Sequence, residues 1–123
     1  MQLIKVINAR NVLESLADRD DIGTHLSYWM AKFVIATRDE YHFYATEMQK
    51  IINQYAQAEQ AGGEDTIRIP PEHLEDFRRE VHILEETEVE CPNIKFALSD
   101  IVDKLKLSMK QIYPLLDFID EEK

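Results

Sequence analysis

From residue 24 to about residue 55 the apolar positions recur with the period of a helix, and neither Gly nor Pro interrupts them. Leu26, Met30, Phe33, Thr37, Tyr41, Tyr44, Met48, Ile51 and Tyr55 follow one another at steps of three or four residues. A second row, Ile22, Trp29, Ala36 and Phe43, runs beside the first at steps of seven, so the apolar arc is wide. The pattern predicts one long helix over about 24–57. Such a helix would be about 48 Å long at 1.5 Å per residue. A compact chain of this length has a radius of gyration of about 14 Å. The spacing therefore predicts a helix that projects, with a second helix or another chain laid along it.

The remaining elements are shorter. Residues 2–7 are apolar and mostly β-branched and predict a strand. Asn8 then reads as the N-cap of a short helix over 9–17. Gly62-Gly63 marks a turn, and 66–69 reads as a short strand or extended arm. Pro70-Pro71 leads into a helix over 72–86, with Leu74, Phe77, Val81 and Leu84 on one face. That helix is about half as long as the first, so it can return along only the far half of it. Residues 87–91 alternate like a strand, and 94–96 are extended after Pro92-Asn93. Ser99 and Asp100 can cap a short helix through Ile101, Val102 and Leu105. Ser108 caps a last helix over about 108–119, in which Pro114 predicts a late start or a kink. Residues 120–123 read as a solvated tail. The expected fold is a single domain, α+β but mostly α: a long helical hairpin with a small base of short strands and helices.

Charge narrows the partners. The net charge is −10. Residues 1–60 carry 6 Lys and Arg against 8 Asp and Glu, and residues 61–123 carry 8 against 16. Such a balance disfavours direct contact with nucleic-acid phosphates and with anionic membranes. With no apolar run long enough to cross a bilayer and no signal-peptide pattern, a soluble protein is expected. Cys91 is the only cysteine, which excludes an intrachain disulfide and reads as a structural, buried or half-buried thiol.

Candidate chemistry is sparse, and no catalytic set is expected. His25 and His42 lie about 25 Å apart along one predicted helix, and His73 and His82 about 13 Å apart along another. Neither pair can share an ion, so neither a metal site nor a cofactor is expected. Asp39 and Glu40 read as part of a solvated face. Glu85, Glu86, Glu88 and Glu90 form a candidate acidic patch for a basic partner or a divalent ion. Tyr28, Trp29, Phe33, Tyr41, Phe43 and Tyr44 form a candidate interface, because the aromatic arc is wider than one short helix can bury.

The layout resembles a family of small bacteriophage-encoded proteins of unknown function. The residues that carry the resemblance are KIINQYAQ at 50–57, an acidic Gly-containing loop, IRIPPEHLEDFRREVHILEETEVE at 67–90 and SMKQIYPLLDFID at 108–120. The resemblance implies a phage origin and a non-enzymatic role. Together these readings lead to an expected virion structural or assembly component acting through protein contacts, either with a partner or with its own copies. Its expected place is the host cytoplasm, with incorporation in the virion. The alternative is an acidic inhibitor of a host nucleic-acid enzyme or defence complex.

Overall fold

The structure is a computed structural model that describes residues 1–61 and 64–120, of which 57–61 and 64–68 as backbone alone. Its order is α1 (Leu3–Ser15), α2 (Thr24–Ala36), α3 (Arg38–Tyr55), β1 (Gln57–Ala61), β2 (Glu64–Arg68), α4 (Leu74–Glu85), β3 (Phe96–Ala97), α5 (Leu98–Asp100), α6 (Met109–Ile112) and β4 (Ile119–Asp120). One 3₁₀ turn precedes α4, a π-helical turn follows α5, and a longer 3₁₀ segment follows α6. The fold is α+β and mostly α. The strands form two small pairs: antiparallel β1–β2, and parallel β3–β4 with Phe96 opposite Ile119. The Gly62-Gly63 turn and residues 121–123 lie outside the described residues.

The expected N-terminal strand is a helix. Residues 2–7 are too short to separate the two periods, and packing decides between them. As a helix, the segment turns Leu3 and Ile7 to one cluster of side chains and Val6, Ala9 and Leu13 to another. Asn8 therefore sits inside α1 rather than capping a later helix. The expected strand at 87–91 shrinks to one antiparallel bridge, Gln2 to Glu88, beside Leu3 N–H donating to Thr87 O at 2.8 Å.

The long helix is broken at Thr37 (φ −104°, ψ 11°), so the expected continuous element over 24–57 is two helices. Thr37 Oγ1 bonds back to the carbonyls of Phe33 (2.8 Å) and Val34 (3.3 Å). Arg10, reaching from α1, donates from Nη1 to the same Val34 carbonyl at 2.6 Å and to Thr37 Oγ1 at 3.3 Å. A side chain inserted into the hydrogen-bond ladder and a back-bonding Thr are both recognised causes of helix bends. The two pieces have 13 and 18 residues, about 20 and 27 Å. The irregularity is confined to one residue, since Thr37 N–H still donates to Phe33 O at 3.1 Å and Thr37 O accepts from Tyr41 N–H at 3.0 Å.

Two clusters make up the core. The larger joins α1 and α2 to the C-terminal base: Phe33 contacts Phe118 edge-on at 4.9 Å and Phe96 at 6.0 Å between ring centres. The smaller lies where α4 returns along α3, with Ile51 and Leu84 buried and Tyr44, Met48, Tyr55, Phe77 and Val81 packed around them. Tyr55 meets His73 and Phe77 while Tyr44 senses Glu85, so α3 and α4 are antiparallel, as the sequence predicts. Ser108 caps α6 with a reciprocal bond from Gln111, a full capping box. The helix becomes 3₁₀ at Tyr113, the residue before Pro114, which has no N–H to continue an α ladder. Lys106, at φ 52°, takes the left-handed conformation that ends the π turn before it.

Candidate functional site

The six aromatic residues expected to form one interface are dispersed. Phe33 is fully buried, 0% exposed, and belongs to the core, not to an interface. Its row in the sequence points inward once α2 lies on the base. Trp29 is half-buried against the same core, and the exposed Tyr28 meets it edge-on at 5.6 Å. Lys32 covers both rings, 5.0 Å from the Trp29 centre and 5.7 Å from that of Tyr28. The break at Thr37 separates this group from α3. There Tyr41 lies exposed with the Arg10 guanidinium 4.6 Å from its ring centre, Phe43 is 46% exposed, and Tyr44 packs towards α4. Burial pushes the Tyr44 hydroxyl above its ordinary range, and the nearby Glu85 carboxylate adds to the shift.

The expected acidic patch is divided in the same way. Glu85 is half-buried at the end of α4, and Glu86 accepts from His82 Nε2 at 2.9 Å. Glu88 pairs with the Met1 ammonium at 2.8 Å, and Glu90 is exposed. Among the described residues no group of three or more His, Cys, Asp and Glu is placed to hold a metal ion. Cys91 is exposed, not buried or half-buried as expected, because it lies on the surface stretch between Val89 and the buried Ile94. Glu40 is half-buried rather than solvated, with its Oε2 enclosed and without a hydrogen-bond partner among the described residues.

Two clefts that the sequence did not single out flank α2. The first, about 340 Å³, lies between the end of α1 and a stripe of α2. Its α2 side is Ser27, Met30, Ala31, Val34 and Ile35, and its other side includes Leu13, Leu16, Ala17 and Ile22. Ile35 stands at its edge, 68% exposed. The charged groups on this cleft are paired: Glu14 with Arg10 Nη2 at 3.0 Å, and Arg19 with Asp21 at 2.8 Å. Arg19 also donates to Leu105 O at 2.7 Å, tying the loop between α1 and α2 to the base. The hydrogen bond from Arg19 holds the Asp21 carboxyl below its ordinary range. The second cleft is polar. It is lined by His25, Trp29, Asn93, Lys95, Asp100 and Asp120, among others. Lys95 is committed to Asp117 O at 2.8 Å and Asp100 to Lys104 at 3.3 Å.

A third surface lies on the C-terminal segment. Met109 (86% exposed), Tyr113 (75%) and Leu116 (53%) all face outward, while Leu115 and Phe118 fill the core. Lys110 is exposed beside them. The sequence did carry a signal here. The α-helical period through 109–119 assigns Leu116 to the core, but the 3₁₀ turns after Pro114 put residues three apart in line and carry it outward.

Comparison of the chain with protein-family models, with curated proteins and with solved structures found no match.

Proposed function

We propose that this protein is a non-enzymatic component that works through protein–protein contacts, as a structural or assembly protein of a phage. The observation that carries the reading is the amount of large apolar side chain left on the surface at separate places: Tyr28 and Ile35 on α2, Phe43 on α3, and Met109, Tyr113 and Leu116 at the C-terminal end. Single exposed apolar residues are ordinary, but grouped ones mark interaction surfaces. The phage setting rests on the layout resemblance quoted above. The net charge of −10 fits a partner that carries basic groups better than it fits nucleic acid.

The test is co-expression with the products of neighbouring phage genes, affinity capture and sedimentation. The expected result is a stoichiometric complex that the double variant Tyr28→Ser/Tyr113→Ser loses while keeping its helical circular dichroism. A chain that sediments as a compact monomer alone and in the presence of every such product would overturn the reading.

A further inference from the structure

The apolar cleft and the exposed C-terminal stripe match one another in length, and at one end of each they carry opposite charge. The α2 side of the cleft runs from Ser27 to Ile35, about 12 Å at the α-helical rise. The stripe from Met109 through Tyr113 to Leu116 also spans about 12 Å, one α turn followed by 3₁₀ turns. The cleft is a groove and the stripe a ridge of three projecting side chains, the arrangement by which a short helix seats in an apolar groove. Beside the cleft the loop between α1 and α2 carries Asp18 and Asp20, both exposed. Asp21 is already engaged by Arg19. Beside the stripe Lys110 is exposed near Met109 and Asp117 is exposed next to Leu116, while Lys106 lies near Asp21 of its own chain.

We infer that the occupant of this cleft is the C-terminal stripe of a second copy of the chain, with Met109, Tyr113 and Leu116 seated against Ala31, Val34 and Ile35, and Lys110 facing Asp18 and Asp20. The inference rests on the proposed role in protein–protein contact and gives that role a partner. One wall of the cleft is tied to the segment that leads into the stripe, because Arg19 donates to Leu105 O at 2.7 Å and to Lys104 O at 3.4 Å. In the reciprocal exchange we infer, each copy lends its stripe and receives its neighbour's. Such a contact forms a two-fold dimer with two copies of the same cleft–stripe joint.

The test is sedimentation of the full chain and of variants at exposed positions, with circular dichroism and melting to show that each stays folded. The intact chain is expected to sediment as a dimer. Ile35→Glu and Tyr113→Glu should each be monomeric at the same concentration. Mixed together, they should form a heterodimer, because the first keeps a sound stripe and the second a sound cleft. Asp18→Lys with Asp20→Lys should weaken the dimer by at least about tenfold, and adding Lys110→Glu should restore it. An intact chain that stays monomeric at high concentration overturns the inference. So does a dimer that survives Ile35→Glu, or a pair of variants that do not rescue each other. A monomeric chain that still captures a phage gene product removes the self-docking but leaves the proposed role standing, so the two failures are told apart.

Discussion

At the scale of single residues, position on a helix face mattered less than what the opposite surface offered. Phe33 and Trp29 lie four apart on α2, yet Phe33 is enclosed by Phe96 and Phe118 while Trp29 is half-covered and flanked by Lys32. Phe33→Ala should therefore cost about 3–5 kcal/mol in urea unfolding, the range for emptying a packed aromatic site. Trp29→Ala should cost less, since that ring is only partly enclosed. Equal losses in the two variants would contradict this division of α2. The aromatic types alone could not reveal it, because Phe and Trp serve equally well in a core and in an interface.

At the scale of elements, Arg10 governs the shape of the longest apolar stretch. It is only 7% exposed and ties together α1, α2, the break at Thr37 and α3. It binds the Val34 carbonyl on α2, lies over the Tyr41 ring on α3 and pairs with Glu14 on its own helix. Arg10→Met keeps the aliphatic stem but removes the guanidinium, leaving Val34 O without that donor. The expected loss is about 1.5–3 kcal/mol, as for a hydrogen bond to a charged group. Faster amide exchange should appear on either side of Thr37. Arg10→Lys should not restore the wild-type values, since an ammonium cannot fork between a carbonyl, a carboxylate and a ring. Full recovery by Lys would show that charge alone, and not the fork, holds the break.

At the scale of the whole molecule, the parts are joined by a few long-range ties. α1 supplies side chains to both core clusters, and Arg19 fastens the loop between α1 and α2 to the base through Leu105 O. Asp21 orients that arginine by two bonds, from Arg19 Nε at 2.9 Å and Nη2 at 2.8 Å. Because its folded pKa is depressed, Asp21 contributes stability that is present above the ordinary carboxylate range of about 4. That contribution fades as the pH falls through the folded value, where the carboxylate takes up a proton. Melting temperatures should accordingly drop more steeply below about pH 4 in the wild type than in Asp21→Asn. Parallel curves for the two proteins would show that the tie contributes nothing measurable.

Much of this architecture was legible in the order of residues. The helix over 72–86 and its antiparallel return follow from Leu74, Phe77, Val81 and Leu84, whose spacing fixes one apolar face whatever lies opposite. The Ser108 cap and the change of helix at Pro114 were also legible, since both depend on backbone donors only a few residues away. Residues 2–7 were not, because a short apolar run satisfies either period until a neighbour selects one. Nor was the break at Thr37. No Gly or Pro marks it, and its cause is a guanidinium that arrives from 27 residues earlier in the chain. The same break and the 3₁₀ turns after Pro114 determine which apolar side chains remain outside. The sequence by itself thus determined helix identity, capping and charge, which depend on local chemistry. Tertiary structure alone decided the helix break, the burial of Phe33 and the exposure of the C-terminal stripe, because each depends on what distant segments bring into contact.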